Sequence, residues 1–567
     1  MQITGELLKK LLVDSKLVSL KDFSLAQEEA QSSSSPLEGI LIEKGLISDE
    51  ELGQIIADEI GAPFINLKKI KIKKEILEIM PEAAARTKGL IVFDKGKEGL
   101  KVALSDPSDL ETREFIERKT GEKVIPYFAT QKDIEASLRY YRKGLKEEVE
   151  ALLGESIKDL EGKKEPADIS KLPIIKITEL ILESAYHSRV SDVHFEPYQD
   201  KTILRYRIDG VLHDVLVLPK FFHDPLIARI KILSGLRTDL HDAAQDGRFS
   251  FALGPPAGGE KGDVRVSVVP VEQEEKAVLR LLSEKARRLD LKDLGLEGEN
   301  FKAAQESIEK PWGMILVSGP TGSGKTTTLY AVLKILNTRK VNIMTIEDPI
   351  EYDIDGINQI QVNPKTNLTF AEGLKAVVRQ NPDIIMVGEI RDETTASLAV
   401  NAAMTGHLVL STFHANDAST SLPRLQDMGV EPFLITSTVN IIISQRLVRK
   451  ICSKCIESYE VKASKISSLL GKELAERLLK TGKGNIRLFR GRGCPLCQET
   501  GYFGRTGIFE VLEMRDSIKK LVMEKANASQ IKKAAQKAGM RTMVEDGLGK
   551  VEQGITTLDE ILRATKE

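Results

Sequence analysis

At 567 residues the chain is longer than one hydrophobic core organises, so three or more domains are expected. Hydrophobic residues at 41% and charged residues at 29% describe an ordinary soluble globular protein. Its 82 Lys and Arg are matched by 84 Asp and Glu, which leaves no net field to attract DNA or RNA and argues against a nucleic-acid motor.

The opening MQITGELLKK has no apolar core of the kind a secretory signal carries. No run reaches the roughly 18 apolar residues that a spanning helix needs. The most apolar stretch, 433–448, is interrupted by Thr436, Ser437, Asn440, Ser444 and Gln445. The expectation is a cytoplasmic protein with no direct membrane span, working on any membrane machine from the inner face.

Residues 1–60 read as helical and internally repeated. Val18-Ser19 with Asp22-Phe23 and Ile47-Ser48 with Glu51-Leu52 are one pattern at a spacing of 29 residues. Each sets a Ser N-cap against an acid three residues on, with apolar flanks as a staple. Leu52, Ile55, Ile56 and Ile60 mark one buried helix face, and Gly61 stops that helix. The Ser32–Ser35 run before Pro36 reads as a loop. From Pro63 to Tyr141 short β-like runs alternate with helical ones.

Residues 143–170 are charge-rich and poor in large apolar side chains, which marks a flexible or helical linker. A second unit, 171–285, opens with a periodic helix over Ile174–Tyr186 and continues with strands such as TILRYRI and VRVSVVPV, with GPPAGGEKG as an edge loop. Residues 286–300 connect to a third unit in which apolar β runs alternate with helices.

There, Gly319-Pro320-Thr321-Gly322-Ser323-Gly324-Lys325-Thr326, followed by Thr327, matches GxxxxGK[ST] between an apolar run and a helix-compatible one. Glycines let such a loop wrap so that its backbone N–H groups and the helix N-terminus face phosphates. Lys325 then reaches the β and γ phosphates of ATP, and the Thr326 hydroxyl ligates Mg²⁺. A second apolar strand, Asp383–Glu389, delivers Glu389 as the carboxylate for Mg²⁺ and its water shell. Between them, TIEDPIEY ends a strand with Glu347, Asp348 and Glu351, one of which orients or deprotonates the attacking water. Arg391 abuts Asp392, and pairing between the two is expected.

The four cysteines fall within 46 positions as Cys452-Ser-Lys-Cys455 and Cys494-Pro-Leu-Cys497. Two such knuckles supply four thiolates to a structural Zn²⁺ and leave no open position for catalysis.

GPTGSGKTTTLY, TIEDPIEY, NPDIIMVGEIRD and TGHLVLSTFHAND, with SDVHFEPY, RYRIDGVLH, QDGRFSF and DVRVS upstream, resemble the motifs of the secretion ATPase superfamily, specifically its type IV pilus assembly and type II secretion (PilB/GspE-like) branch. The resemblance spans roughly the whole chain. It implies a homo-hexameric ring in which ATP lies between one subunit's motor domain and a neighbour's upstream domain. It also implies an inner-membrane platform protein as partner. Glu351 would be the general base, Glu389 the acid near Mg²⁺, and His407 and His414 the His-box residues, with His414 sensing the γ-phosphate. Arg248, Arg265 and Arg280 match positions that supply arginines to the nucleotide. Asn381-Pro382-Asp383 departs from the family's usual Asp-Pro-Asp, and Glu274-Glu275-Lys276 from its Gly-Glu-Lys. The N-terminal repeats resemble a module that binds cyclic di-GMP in some relatives. The Arg and Gly of its motif fall here on Leu7, Lys9, Pro36 and Glu38, so a docking module is expected and cyclic di-GMP binding is not.

The resulting expectation is a multi-domain α/β protein: an N-terminal docking module at 1–142, a linker at 143–170 and a PAS-like α/β middle domain at 171–285. A second linker at 286–300 leads to a RecA-like P-loop motor at 301–567 with a zinc subdomain at about 450–507 and a helical tail. Its function would be ATP hydrolysis powering type IV pilus assembly. The rivals are a type II secretion or DNA-uptake pseudopilus ATPase, a non-hydrolysing nucleotide-gated scaffold, and a nucleic-acid translocase.

Overall fold

The computed structural model describes residues 8–15, 17–33, 37, 40–41, 46–47, 49–67, 70, 72–141, 145, 147–150, 152, 172–252, 261–272, 274–282, 290–462, 466, 468, 485–494 and 497–566. The chain divides into two compact units. Met1–Glu148 with the short Cys494–Glu499 stretch forms one, and Val149–Gly493 with Thr500–Glu567 forms the other.

In the first unit the helix Leu20–Ser33 starts where the Ser19 cap predicts. The Ser19 hydroxyl accepts from the Asp22 N–H at 3.1 Å and donates to the Asp22 carboxylate at 2.6 Å. That helix continues through Ser32 and Ser33, so the expected loop does not begin there; small polar residues are tolerated on its last turn. Ser34, Ser35 and Pro36, the repeat's second cap Ser48, and Leu7 and Glu38 lie outside the described residues. The helix Asp49–Ile60 ends at Gly61, which adopts φ +70°. Leu52 and Ile56 are buried in one cluster with Phe23 and Ala26. Three strands follow, β1 (Leu90–Gly96), β2 (Gly99–Leu104) and β3 (Val124–Phe128), with β1 antiparallel and β3 parallel to β2.

The expected linker 143–170 falls mostly outside the described residues. The second unit begins with the helix Ile174–His187 and a six-stranded antiparallel sheet: β4 (Val190–Pro197), β5 (Lys201–Ile208), β6 (Val211–Pro219), β7 (Gln245–Ala252), β8 (Lys261–Val271) and β9 (Glu274–Leu282). Their order is β6-β5-β4-β9-β8-β7. Lys261 and Gly262, read as edge loop, belong to β8, and 253–260 lie outside the described residues. One face of the sheet is apolar, with Val264, Val266, Val268, Ala277 and Leu279 buried. The register lines Arg248, Arg265, Arg280, Asp192 and Arg207 in one row across five strands. Directly opposed residues point to the same face, so this row is a ladder of four arginines interrupted by one acid.

The motor sheet comprises β10 (Gly313–Ser318), β11 (Ile343–Glu347), β12 (Asn358–Gln361), β13 (Ile384–Val387), β14 (Leu408–Phe413), β15 (Val439–Ile451) and, after the antiparallel pair β16 (Ile456–Lys462) and β17 (Asn485–Gly491), β18 (Tyr502–Glu513). Its order is β12-β11-β13-β14-β10-β15-β18, and every pairing except β15 with β18 is parallel. All six residues of β10 are buried. That explains its unbroken apolar run, since a parallel strand is covered on both faces. The expected connector 286–300 is shorter than read. Leu291 and Leu296 are buried with Ile315 and Val317, and the helix Gly298–Ile308 begins before its end. Four helices from Asp516 to Thr565 form the tail. Among the described residues no helix is long and apolar enough to cross a membrane.

Candidate functional site

Strand β10 ends at Ser318, and the chain turns through 319–324 into the helix Lys325–Leu336. Gly319 adopts φ +150°, and a Cβ there would lie 2.5 Å from the Gln445 carbonyl and 2.6 Å from Ser323 Oγ. Gly324 caps the helix at φ +88°. Only glycine fits the first position sterically, and glycine is favoured at the second by its backbone angle. Lys325 Nζ donates to the carbonyls of Gly319 at 2.9 Å and Pro320 at 3.0 Å. Burial pushes its ammonium below its ordinary range, and the Glu389 carboxylate pulls the other way. Ser323 Oγ is buried with no hydrogen-bond partner among the described residues. A glycine cradle, a buried ammonium and an orphaned buried hydroxyl are together what a phosphate chain satisfies.

Two residues that the sequence showed only as interruptions of an apolar run complete this loop. Gln445 on β15 accepts from Thr328 Oγ1 at 2.7 Å and donates to the Ser323 carbonyl at 2.7 Å. Ser318 donates to Ser444 at 2.8 Å. Polar side chains at consecutive positions of a buried strand were the available signal.

Glu389 lies two residues beyond β13, which is shorter than the Asp383–Glu389 strand expected. Its carboxylate contacts Arg391 at 2.6 Å and His414 Nε2 at 3.3 Å. Arg391 therefore pairs with Glu389 and not with Asp392. Asp392 is engaged elsewhere, accepting from the Thr395 N–H at 2.8 Å as the cap of the helix Glu393–Met404. His414 follows the last residue of β14, whereas His407 precedes the first and bonds the Ala402 carbonyl at 2.8 Å. Six residues of strand, about 20 Å at 3.3 Å each, separate them. In an open α/β sheet ligands bind outside the carboxyl ends of the strands, which is where His414 lies and His407 does not.

Two of the three acids of the TIEDPIEY segment, Glu347 and Glu351, separate as sharply. Glu347 ends β11 and is 2% exposed, bonded to Tyr330, Thr345 and Gln359. Glu351 lies on the loop beyond, where its carboxylate meets Arg265 Nη1 at 2.9 Å. Arg265 Nη2 also donates to the Ile350 carbonyl and, at 3.4 Å, to that of Glu351. The middle sheet thus reaches the motor's acidic loop within one chain. Arg280 is committed to Asp192 at 2.9 Å, and Asp192 also receives Arg207 at 3.4 Å. Arg248 is exposed on the edge strand β7, and its side chain makes no ion pair or hydrogen bond among the described residues.

Cys452 and Cys455 occupy the turn from β15 to β16, and Cys494 and Cys497 the passage from β17 to β18. The Cys455 N–H donates to the Cys452 carbonyl at 3.2 Å, and the Cys497 N–H to the Cys494 carbonyl at 3.1 Å. The four sulfurs lie within 4.8 Å of one another, and those of Cys494 and Cys497 are 3.6 Å apart. Tetrahedral ligation at a Zn–S distance near 2.3 Å places sulfurs about 3.8 Å apart, so the donor set and its spacing fit.

Residues 168–563 match the family described as "Type II/IV secretion system protein", and residues 60–148 match the MshEN domain. The type IV pilus assembly ATPase PilB of Myxococcus xanthus is 37% identical over 98% of this chain and 98% of its own. The type II secretion system protein E of Xanthomonas campestris pv. campestris is 38% identical over 97% of this chain and 96% of its own. Among solved structures, the Legionella pneumophila ATPase DotB shares the fold at TM-score 0.50 and 21% identity, over 70% of this chain and 96% of that one.

Gln445→Ala removes the tie from β15 to the phosphate loop at Ser323 and the tie to Thr328 on the helix that follows. At about 1 kcal/mol per bond, nucleotide affinity is expected to fall on the order of tenfold, read by titration with a fluorescent ATP analogue. Unchanged affinity would show that the loop holds its shape without this side chain.

Proposed function

We propose that this chain, which belongs to the type II/IV secretion system protein family and is an ATP hydrolase of its PilB/GspE-like branch, works as a ring ATPase powering type IV pilus assembly. The observation that carries the pilus reading is the end-to-end match to a pilus assembly ATPase. A match of similar extent to a type II secretion protein supports the second reading, assembly of a secretion pseudopilus. Deleting the gene decides between them: loss of surface pili with normal protein secretion is expected, and the reverse phenotype would establish the second reading.

In the mechanism we infer, the loop 319–324 and Thr327 hold the phosphates by backbone and hydroxyl groups, and Lys325 leaves the Gly319 and Pro320 carbonyls to bind them. Thr326 and Glu389 are the residues that would hold Mg²⁺, which would offset phosphate negative charge when bound. Glu351 takes a proton from, or orients, the attacking water. His414 reports the γ-phosphate to Glu389, to which it is already bonded. Domain closure driven by this chemistry would move an inner-membrane platform protein from the cytoplasmic face, with 1–142 as a docking module without a cyclic di-GMP role. Intact Lys325, Glu351 and Glu389 argue against a non-hydrolysing scaffold.

Lys325→Ala should weaken both nucleotide binding and turnover. Glu351→Gln should leave binding intact while turnover falls about 10² to 10⁴-fold. Near wild-type phosphate release by the Glu351→Gln protein would place the base elsewhere.

The arginines divide by their partners. Arg265 is engaged by its own chain's Glu351, which supports a role there and not at a neighbour's phosphates. Arg248, exposed on an edge strand, is the one best placed to serve a neighbouring subunit of a hexamer, with Arg280 available only on leaving Asp192. An arginine suits this task because its planar fork contacts two phosphate oxygens and stays charged. Mixing Arg248→Ala chains with Lys325→Ala chains should restore part of the turnover that each lacks. Absence of rescue, with activity independent of protein concentration, would mean that each chain closes its own site.

One Zn²⁺ per chain is expected on Cys452, Cys455, Cys494 and Cys497, with a structural role. Replacing any one by Ser should lower bound zinc and speed proteolysis around 450–507, because metal binding supplies folding energy in such sites. Elemental analysis of gently purified protein with no stoichiometric metal would overturn the assignment.

A further inference from the structure

Tyr330 stands five residues after Lys325 on the same helix, fully buried. Its hydroxyl donates to the Glu347 carboxylate and accepts from the Glu351 backbone N–H at 3.3 Å and from Gln359 Nε2 at 3.4 Å. One donor and two lone pairs are all that a phenol has, so every capacity of the group is used. Its ring meets that of Tyr352, the residue after Glu351, edge-on at 4.7 Å and 86°. Tyr330 therefore holds the chain at Glu351 itself and at the residue beyond it.

The surrounding chemistry is costly for a purely packing role. Glu347 is a buried carboxylate for which no cation lies within ion-pair distance among the described residues. It is balanced by neutral donors alone: Tyr330, Thr345 Oγ1 at 2.6 Å and Gln359 Nε2 at 3.1 Å. Tyr330 otherwise sits in an apolar cluster with Val332, Leu333, Ile343 and Ile357, where a phenylalanine would pack without a polar atom to satisfy. What the network does instead is fix an irregular segment. Gln359, held by Glu347, donates to the Tyr352 carbonyl at 3.2 Å and accepts from the Ile354 N–H at 2.8 Å. The loop bearing Glu351 is thus tied to β11 and β12 through side chains, and to the phosphate-binding helix through one hydroxyl.

We infer that Tyr330 is a positioning residue for Glu351: it couples the helix that begins at Lys325 to the acidic loop, so that Glu351 is set relative to the bound phosphates. This rests on Glu351 being the base. A displacement of that helix on phosphate binding is carried to the Glu351 backbone by the same hydroxyl, with no intervening residue.

The test compares Tyr330→Phe with wild type in phosphate release and in nucleotide titration, and repeats the substitution in the Glu351→Gln background. The ring is kept and only the hydroxyl is lost. kcat is expected to fall about tenfold, the effect of one buried hydrogen bond, while nucleotide affinity stays within about twofold. In the Glu351→Gln background the same change should cost nothing further, because a residue acting through another has no effect once that other is gone. Should Tyr330→Phe fold poorly because Glu347 loses its donor, the pair Tyr330→Phe with Glu347→Gln removes the stranded charge. That pair should fold and still turn over slowly. Normal kcat for Tyr330→Phe, recovery in the double variant, or an equal loss in the Glu351→Gln background each overturns the inference. An active Glu351→Gln protein would instead remove the base assignment on which it rests.

Discussion

The motor depends on one constraint, the burial of β10 between two parallel neighbours. With β14 on one side and β15 on the other, and helices over both faces, every residue of β10 is removed from water. Such a strand cannot bend toward solvent along its length, so the chain turns only past Ser318, at the carboxyl edge of the sheet. The phosphate loop, Glu389, Glu351 and His414 all follow the carboxyl ends of parallel strands for this reason. Gln445 ties the loop to β15, so the strand that buries β10 also shapes the turn leaving it.

Charge compensation links these pieces. The Glu389 carboxylate is the shared element: it bonds Arg391 and His414, and its charge opposes the effect of burial on the Lys325 ammonium. Glu347 and Glu351 show how differently two acids four residues apart are treated. One is sealed among neutral donors at a strand end, and the other lies on a loop against an arginine from the middle sheet. Only the second has the accessibility that a group meeting water requires.

The arginine ladder of the middle sheet has a similar logic. Four cations in one row repel, and Asp192 relieves that repulsion between Arg280 and Arg207 by holding both. The row's remaining members differ by position: Arg265 meets the motor loop, and Arg248 faces solvent on the edge strand. The four cysteines gain proximity from strand pairing in the same way, since β15 with β18 and β16 with β17 bring together knuckles that are 38 residues apart in the chain.

The sequence by itself determined whatever depends on neighbours along the chain. The phosphate loop, the apolar strand before it, the Ser19 cap, the Gly61 stop and the two CxxC pairs were legible because each is a local pattern with a local physical cause. Tertiary structure alone decided the partners. Arg391 stands beside Asp392 in sequence yet pairs with Glu389, because Asp392 is drawn into a helix cap. His407 and His414 share a motif yet lie at opposite ends of β14, because an extended strand of six residues separates them. Gln445 and Tyr330 showed no more than a polar interruption and a helical aromatic. Their contacts depend on the register of a parallel sheet and on helix packing, which bring together residues up to 122 positions apart in the chain, and no local pattern encodes that distance.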